Sequence, residues 1–202
     1  DFTRTLLRRM RGHGVDVKLG VVHRLDKDTS GLMVFARTAH AKRTLAVQFR
    51  EHSLDRVYHA IAHGKVTAQR VETHLLPDRG DGVRGSHGTF RRPNGNVPIE
   101  AKHSVTHIRP ITALAGATLV ECRLETGRQH QIRIPLSELG HPLLGERVYI
   151  RDYVGPMIEA LRPMLHARTL GFVHPRTGER LMFQREPPDD FRAQIELLRP
   201  TP

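Results

Sequence analysis

The sequence predicts an α+β fold with a mixed, largely antiparallel β-sheet flanked by helices. Segments of strand length outnumber helical segments, and most of them follow one another at hairpin spacing. The 202 residues contain no internal repeat and no convincing linker, so we expect one domain. Aromatic residues make up 5% of the chain and Trp is absent, so aliphatic side chains must supply most of the core.

The first half of the chain is predicted to alternate helices with short strands. A basic helix over residues 2–11 opens it, and the apolar run over residues 32–36 has the length of a buried strand. Thr38 is the expected N-cap of a helix over residues 39–52, and residues 56–62 are predicted to form the next strand. Because the chain starts abruptly with a helix, we expect that an N-terminal portion is missing.

The second half is predicted to be richer in strands. Residues 77–98 are rich in Gly and Pro and are expected to be mostly loop, with room for one short hairpin. After this loop we expect an antiparallel pair of strands over residues 99–108 and 118–124, joined by a loop over 110–116. A helical segment ending at residue 139 should follow. The chain is then expected to form a hairpin over 165–173 and 180–184 and a final helix over 189–198.

The charge balance indicates a polyanionic partner. Lys and Arg number 32 against 21 Asp and Glu, a net charge of +11 with His neutral, and nucleic acid is the first candidate. Cys122 is the only cysteine, and no apolar run approaches the ~18 residues of a membrane-spanning helix, so a cytoplasmic protein without membrane contact is expected. The 14 His residues are scattered without Cys partners, so no metal site is predicted.

The segment HRLDKDTSG, residues 23–31, carries the most chemistry. Asp26 lies between Arg24 and Lys27, and neighbouring positive charge favours an ionised carboxylate. A charged Asp held in a loop is a usable nucleophile or base. The alternative is a surface loop with an incidental ion pair. No Gly-rich phosphate loop, Gly-x-Ser-x-Gly elbow or His-Glu-x-x-His helix offers a competing chemistry.

Two further places compete for a functional role. Tyr58 lies inside a predicted strand, where a half-buried structural tyrosine is the alternative reading. Arg128 and Arg133 bracket the run RQHQIR at a strand-to-helix junction, where positive charge opposes the helix dipole. Such cations imply a partner, either phosphate or an internal carboxylate. The forked guanidinium suits a carboxylate, so pairing with Asp26 would hold that side chain in place.

Four segments resemble, in order, those of the RluA-type RNA pseudouridine synthases. They are the signature HRLDKDTSGLMVFART, the tyrosine strand RVYHAIAHG, the arginine segment TGRQHQIRIPLSELGHPLLGERVY and the tail LHARTLGFVHPRTGERLMFQREPPDDF. The resemblance covers residues 20 to 192, with Pro135 standing where family members usually have His. It implies one catalytic domain over residues 1–202 that lacks an N-terminal portion, including any S4-like RNA-binding domain.

The resemblance also implies a reaction and its residues. Members convert uridine in structured RNA, rRNA or tRNA, to pseudouridine by detaching the base from C1′ and rejoining it through C5, without metal or organic cofactor. By resemblance Asp26 is the nucleophile on sugar or base, and Arg133 pairs with Asp26. Tyr58 is expected to stack on the flipped uracil and to be a candidate for proton removal from C5. Arg24 would help to flip the nucleotide, and Ile132 would lie under the base. A monomer is expected.

A basic face is expected to hold the RNA phosphates and to make binding depend on salt. The candidates for this face are Lys42, Arg43, Arg91, Arg92 and Arg128. Two other functions stay open: a non-catalytic RNA-binding module of the same fold, and a carboxylate-dependent nucleoside or glycoside hydrolase. The complete set of Asp, Tyr and Arg favours the synthase.

Overall fold

A computed structural model describes residue 5, residues 19–87 and residues 96–200. The strands of these ranges are β1 (Gly20–Val21), β2 (Ser30–Gly31), β3 (Phe35–Ala36), β4 (Asp55–His63), β5 (Gln69–Leu76), β6 (Gly85–Ser86), β7 (Lys102–Leu114), β8 (Ala117–Leu124), β9 (Leu165–Val173) and β10 (Arg180–Gln184). The helices are α1 (Ala39–Glu51), α2 (Arg133–Glu138) and α3 (Asp189–Leu197).

One sheet contains most of these strands. Its order is β10-β9-β4-β8-β7-β5-β6, with every neighbouring pair antiparallel, and β2 adds a parallel pairing to β9. β1 and β3 form a separate two-stranded pair. The predicted α+β class with a mixed, largely antiparallel sheet is therefore confirmed.

Strand β9 connects the two halves of the chain. On one edge Ser30 and Gly31 of β2 pair with His166 and Ala167, and on the other edge Tyr58 of β4 also pairs with Ala167. The register of β4 on β9 shifts at Val57 and Tyr58, which marks a bulge beside the tyrosine. The loop that carries Asp26 and the strand that carries Tyr58 are therefore both attached to the same short stretch of β9.

The long hairpin of β7 and β8 corrects one prediction. The prediction of a loop over residues 110–116 is wrong, because β7 continues to Leu114. The chain then turns tightly around Gly116, whose φ is 71°. Pro110 cannot donate to the ladder, and the register of the pair shifts between Pro110 and Thr112. This irregularity accommodates the proline inside a strand.

Other elements agree with the prediction to different degrees. Thr38 accepts a 3.1 Å hydrogen bond from the backbone N–H of Ala41 and so caps α1 as expected. The strand expected over residues 32–36 is too long, since only Phe35–Ala36 pairs. The C-terminal hairpin and α3 are confirmed within a residue of the predicted ends. β5 was not predicted.

The sheet buries apolar side chains on both faces. On one face Val120 and Cys122 pack beneath Leu136 of α2, and on the other Ile61 and Leu119 pack against Phe191 of α3. Aliphatic residues dominate both clusters, as the composition required. The sheet is therefore the central layer, and α2 brings its N-terminus to the end of the sheet where Tyr58 lies.

Some sequence-based expectations fall on residues that are not described. Apart from Thr5, the helix expected over residues 2–11 lies outside the described residues, as do Arg91 and Arg92. Within the ranges that the structure does describe, no helix is long and apolar enough to cross a membrane.

Candidate active site

A cleft of about 250 Å³ opens at the end of β4. Five of the eight predicted site residues line it: Arg24, Asp26, Tyr58, Arg128 and Ile132. Arg133, Lys42 and Arg43 do not line it. These five residues bring a carboxylate, an aromatic ring, an apolar side chain and two cations together from three separate parts of the sequence.

The loop that carries Asp26 is held by its own backbone. The N–H of Thr29 donates a 3.1 Å hydrogen bond to the carbonyl of Asp26, and Asp28 has a left-handed φ of 67°. The loop then runs into β2, where a Cβ on Gly31 would lie 2.3 Å from the carbonyl oxygen of Ala167. Only glycine fits at this position, so the loop is seated directly against β9.

Arg162 attaches the same loop to the C-terminal helix. Its Nη1 donates to the carbonyl of Asp28 at 3.0 Å, and its Nη2 lies 3.3 Å from Oγ of Ser30. Its Nε and Nη2 also bind the carboxylate of Asp190 at 2.7 and 3.0 Å. One guanidinium therefore connects the Asp26 loop to the first turn of α3.

Arg133 does not form the expected ion pair with Asp26, so that prediction is corrected. Its Nε and Nη2 donate hydrogen bonds of 2.7 Å to the two carboxylate oxygens of Glu146. The bidentate pair is buried, with the Glu146 side chain fully inaccessible. The partner that the helix-dipole argument required is thus an internal carboxylate, but one from the segment after α2.

Several donors keep Glu146 charged. Burial alone would raise the pKa of Glu146, but the hydrogen bonds and charge of Arg133 lower it below its usual value. The backbone N–H groups of Arg147 and Val148 donate to the same carboxylate at 3.0 and 2.9 Å. The buried pair is therefore well satisfied, and it fixes the start of α2 beneath the cleft.

His130 is the residue that lies against Asp26. Its Nε2 is 3.9 Å from Oδ1 of Asp26, and its Nδ1 is 2.5 Å from the hydroxyl of Tyr149. Burial lowers the pKa of His130, with Asp26 opposing and Arg133 reinforcing the effect. Burial also raises the pKa of Tyr149 to about 12, so the phenol is protonated near pH 7. In the His130 tautomer whose Nδ1 accepts from this phenol, the neutral imidazole turns its Nε2–H toward Asp26.

His130 has a strained backbone. Its φ is 56°, a left-handed conformation that is uncommon for residues other than glycine. Such strain persists where the surrounding structure determines it, and here the side chain is held by Tyr149. The run over residues 128–133 was predicted to matter for its arginines, and the histidine inside it was overlooked.

Tyr58 and Ile132 form the less polar part of the cleft. Tyr58 is partly buried, and burial raises the pKa of its phenol to about 12, so the ring is neutral near pH 7. Ile132 is 4% exposed and precedes α2. An aromatic ring and a branched apolar side chain in one cleft suit a flat, planar ligand.

The predicted cations divide into two groups. Arg24 is exposed at the cleft, and Arg128 lines it with Nε bonded to the carbonyl of His103 at 3.0 Å. Lys42 and Arg43 are exposed on α1 and lie outside the lining. The structure thus brings Arg24 and Arg128 of the predicted cations to the cleft and leaves Lys42 and Arg43 on α1.

Sequence reasoning missed two further residues of the lining. His23 stacks on Phe49 with ring centroids 4.4 Å apart and accepts a 3.0 Å hydrogen bond from the N–H of Val34. Burial, and then the charge of Arg56, lowers the pKa of His23 to about 4.

Arg56 lies two residues before Tyr58 and therefore on the same face of β4. The two-residue spacing from Tyr58 within the predicted strand could have indicated that the Arg56 side chain also faces the cleft.

The chain matches known proteins along most of its length. The family described as RNA pseudouridylate synthase matches residues 3–138. Ribosomal large subunit pseudouridine synthase D of Zymomonas mobilis is 41% identical over 198 residues, which cover 94% of this chain and 59% of that protein. The protein of the same name from Neisseria meningitidis serogroup A is 36% identical over 98% of this chain and 54% of its own length. The chain thus spans a little over half of these relatives.

Two solved human structures share the fold. RNA Pseudouridylate Synthase Domain Containing 4 superposes with a TM-score of 0.76 at 23% identity, covering 93% of this chain and 78% of that one. RNA Pseudouridylate Synthase Domain Containing 1 superposes with a TM-score of 0.70 at 24% identity, covering 91% of this chain and 74% of that one. With the cleft, the motifs and the sequence relatives in agreement, the chain belongs to the RNA pseudouridylate synthase family, as its RluA-type motifs predicted.

Proposed function

We propose that this chain isomerises uridine in structured RNA to pseudouridine, with Asp26 as the nucleophile. The observation that supports this most directly is that Asp26, Tyr58 and Ile132 line one cleft beside Arg24 and Arg128. A base-modifying enzyme must extrude its target from the stack and hold the base between aromatic and apolar groups. Family membership supports the same reaction.

The isomerisation balances without any co-reactant. The C1′–N1 bond breaks, a C1′–C5 bond forms, a proton leaves C5 and a proton ends on N1, so neither oxidant nor reductant is required. Attack by Asp26 on the sugar and attack on the base both need an ionised carboxylate, and the bond that Asp26 forms breaks again before product leaves, which regenerates the carboxylate. The expectation that no metal or cofactor takes part stays a prediction.

Each residue of the cleft has a distinct proposed role. Tyr58 stacks on the extruded uracil, and Ile132 supports the opposite side. Arg24, exposed at the cleft, occupies the space that the flipped nucleotide leaves in the RNA. Arg133 acts on Asp26 through its charge and through the packing of α2, since its donors are engaged by Glu146. The Tyr58 phenol is neutral at rest, so proton removal from C5 by this group would require the phenolate.

The direct test is incubation of the purified protein with transcribed RNA, followed by pseudouridine mapping. Large-subunit rRNA comes first because the relatives named above are ribosomal large subunit enzymes. Small-subunit rRNA and tRNA follow as alternative substrates. If the chain is an isomerase, the wild type should form new pseudouridine and Asp26→Asn should form none, although the variant still binds RNA. Equal yields would contradict the role of Asp26.

The same experiment separates the remaining alternatives. RNA binding without product after long incubation would indicate a non-catalytic module, and release of free uracil would indicate a hydrolase. The expected monomer is checked by sedimentation with and without RNA. The basic surface predicts that binding weakens as salt rises.

A further inference from the structure

Arg56 is a buried cation in the wall of the cleft. It lies on β4 and is only 7% exposed, yet it lines the same cleft as Asp26 and Tyr58. Charged side chains are almost never this buried unless they are paired. Its surroundings therefore call for a counter-charge.

The described part of the chain supplies no such counter-charge. Nη2 of Arg56 donates one hydrogen bond of 3.3 Å to the carbonyl of Glu125, and Nε is buried without a partner. Across residues 19–87 and 96–200, no carboxylate lies within ion-pair distance of its guanidinium. The adjacent Asp55 is paired instead with Arg123 and Arg180.

Arg56 lies among other cationic and titratable groups. Burial lowers the pKa of Arg56, the Tyr58 phenol opposes this effect, and the charge of Arg128 lowers the pKa further. The charge of Arg56 in turn adds to the effect of burial in lowering the pKa of His23 and of His52. A guanidinium stays protonated even so, and a buried, uncompensated charge destabilises a protein.

The chain leaves room for this guanidinium. A Cβ on Gly127 would lie 2.2 Å from Nη1 of Arg56, so any other residue at this position would displace the group. Gly127 begins the run that continues with Arg128, whose side chain lines the cleft as well. The loop before α2 therefore packs its backbone against a cation that has free donors.

We propose that Arg56, together with Arg128, is a binding subsite for one phosphate of the RNA backbone next to the extruded nucleotide. This inference rests on the proposed function, because it places the phosphate beside the cleft that takes the base. A planar guanidinium fork binds two phosphate oxygens at once, and phosphate carries the full negative charge that a neutral base carbonyl lacks. RNA then neutralises a charge that destabilises the free protein.

The first test uses inorganic phosphate as the probe. At constant ionic strength and tenfold its dissociation constant, phosphate raises Tm of the wild type by about 3 °C relative to chloride. Arg56→Gln loses this shift, and the control Arg199→Gln, an exposed arginine paired with Glu196, retains it. An equal phosphate shift in wild type and Arg56→Gln would overturn the proposal.

The second test uses RNA and separates this inference from the proposed function. In the plot of log affinity against log salt concentration, Arg56→Gln lowers the slope by about one while Arg199→Gln leaves it unchanged. If Arg56→Gln does not fold, Arg56→Lys keeps the slope but weakens binding. An unchanged slope in a protein that makes pseudouridine would reject the subsite alone. A phosphate shift and a slope change in a protein that makes no pseudouridine would reject the isomerase and leave the subsite standing.

Discussion

Arg133 donates both of its 2.7 Å hydrogen bonds to Glu146, and Asp26 lies outside this pair. This arginine of the run over residues 128–133 is thereby engaged in holding the start of α2. The charge of Asp26 helps to raise the pKa of Arg133, behind the larger effect of Glu146, and Asp26 itself lies 3.9 Å from Nε2 of His130. The Asp26 carboxylate lines the cleft instead.

Arg133→Leu should therefore act on stability as well as on catalysis. It leaves Glu146 as a buried carboxylate without its cation, which costs about 3–5 kcal/mol of the free energy of unfolding measured in urea. The double variant Arg133→Leu/Glu146→Leu removes both charges and should be more stable than Arg133→Leu. A single variant as stable as wild type would show that the ion pair is not formed in solution.

Tyr149→Phe tests the hydrogen bond that orients His130. The variant frees Nδ1 of the imidazole, so we expect kcat to fall about fivefold, the equivalent of a hydrogen bond of about 1 kcal/mol. KM should not change because Tyr149 does not line the cleft. Tyr153→Phe is the matched control, since among the described residues the Tyr153 hydroxyl bonds only the carbonyl of Pro156. Equal kcat in both variants would reject this role.

His23 should make the protein less stable in acid. Its pKa is about 4 in the folded chain against 6.5 as its usual value, so between these values the unfolded chain binds more protons than the folded one. Stability is therefore lost as pH falls through this window, by at most about 3 kcal/mol.

The measurement is urea unfolding at pH 7 and pH 4.5 with His23→Gln and with His40→Gln, an exposed histidine on α1. Other histidines with lowered pKa, such as His166, contribute in the same direction, so the difference between variants is the informative quantity. His23→Gln should show the smaller loss in acid. The same loss in both variants would contradict the assignment.

Arg162→Leu should loosen the Asp26 loop without touching the cleft. It removes the donors to Asp28 and Ser30 and leaves Asp190 unpaired. We expect faster amide exchange over residues 26–31 and a kcat that falls more than RNA affinity does. Arg192→Leu, which removes the exposed ion pair with Asp189 on α3, should change neither quantity. Unaltered amide exchange in Arg162→Leu would show that Arg162 does not hold the Asp26 loop in place.

Local patterns were sufficient for elements whose cause is local. The cap at Thr38 and the C-terminal hairpin each follow from a few adjacent residues, and they were predicted closely. β5 was missed because its pattern is weak: polar residues occupy most of Gln69–Leu76, and the strand depends on pairing with β7. Tertiary pairing determined that strand more than its own propensity.

The candidate site shows the same division. Asp26, Tyr58, Ile132 and their neighbouring cations were recognised from motifs, and the structure brings them to one cleft. The partner of Arg133 could not be read locally, because Glu146 reaches it only through the packing of the segment after α2. The contact of Arg162 with Asp28 spans 134 residues of sequence and has no local signal at all.

The shared attachment to β9 has a consequence for how such a site diverges. β2 and β4 are hydrogen-bonded to neighbouring residues on opposite edges of that strand, so backbone amides determine the distance between carboxylate and ring. These backbone groups do not change when side chains are substituted, provided that residue 31 stays glycine and lets β2 approach the backbone of Ala167. Substitutions can therefore accumulate along β9 while the spacing persists, whereas one residue gained or lost between Asp26 and Gly31 would shift the carboxylate away from its substrate.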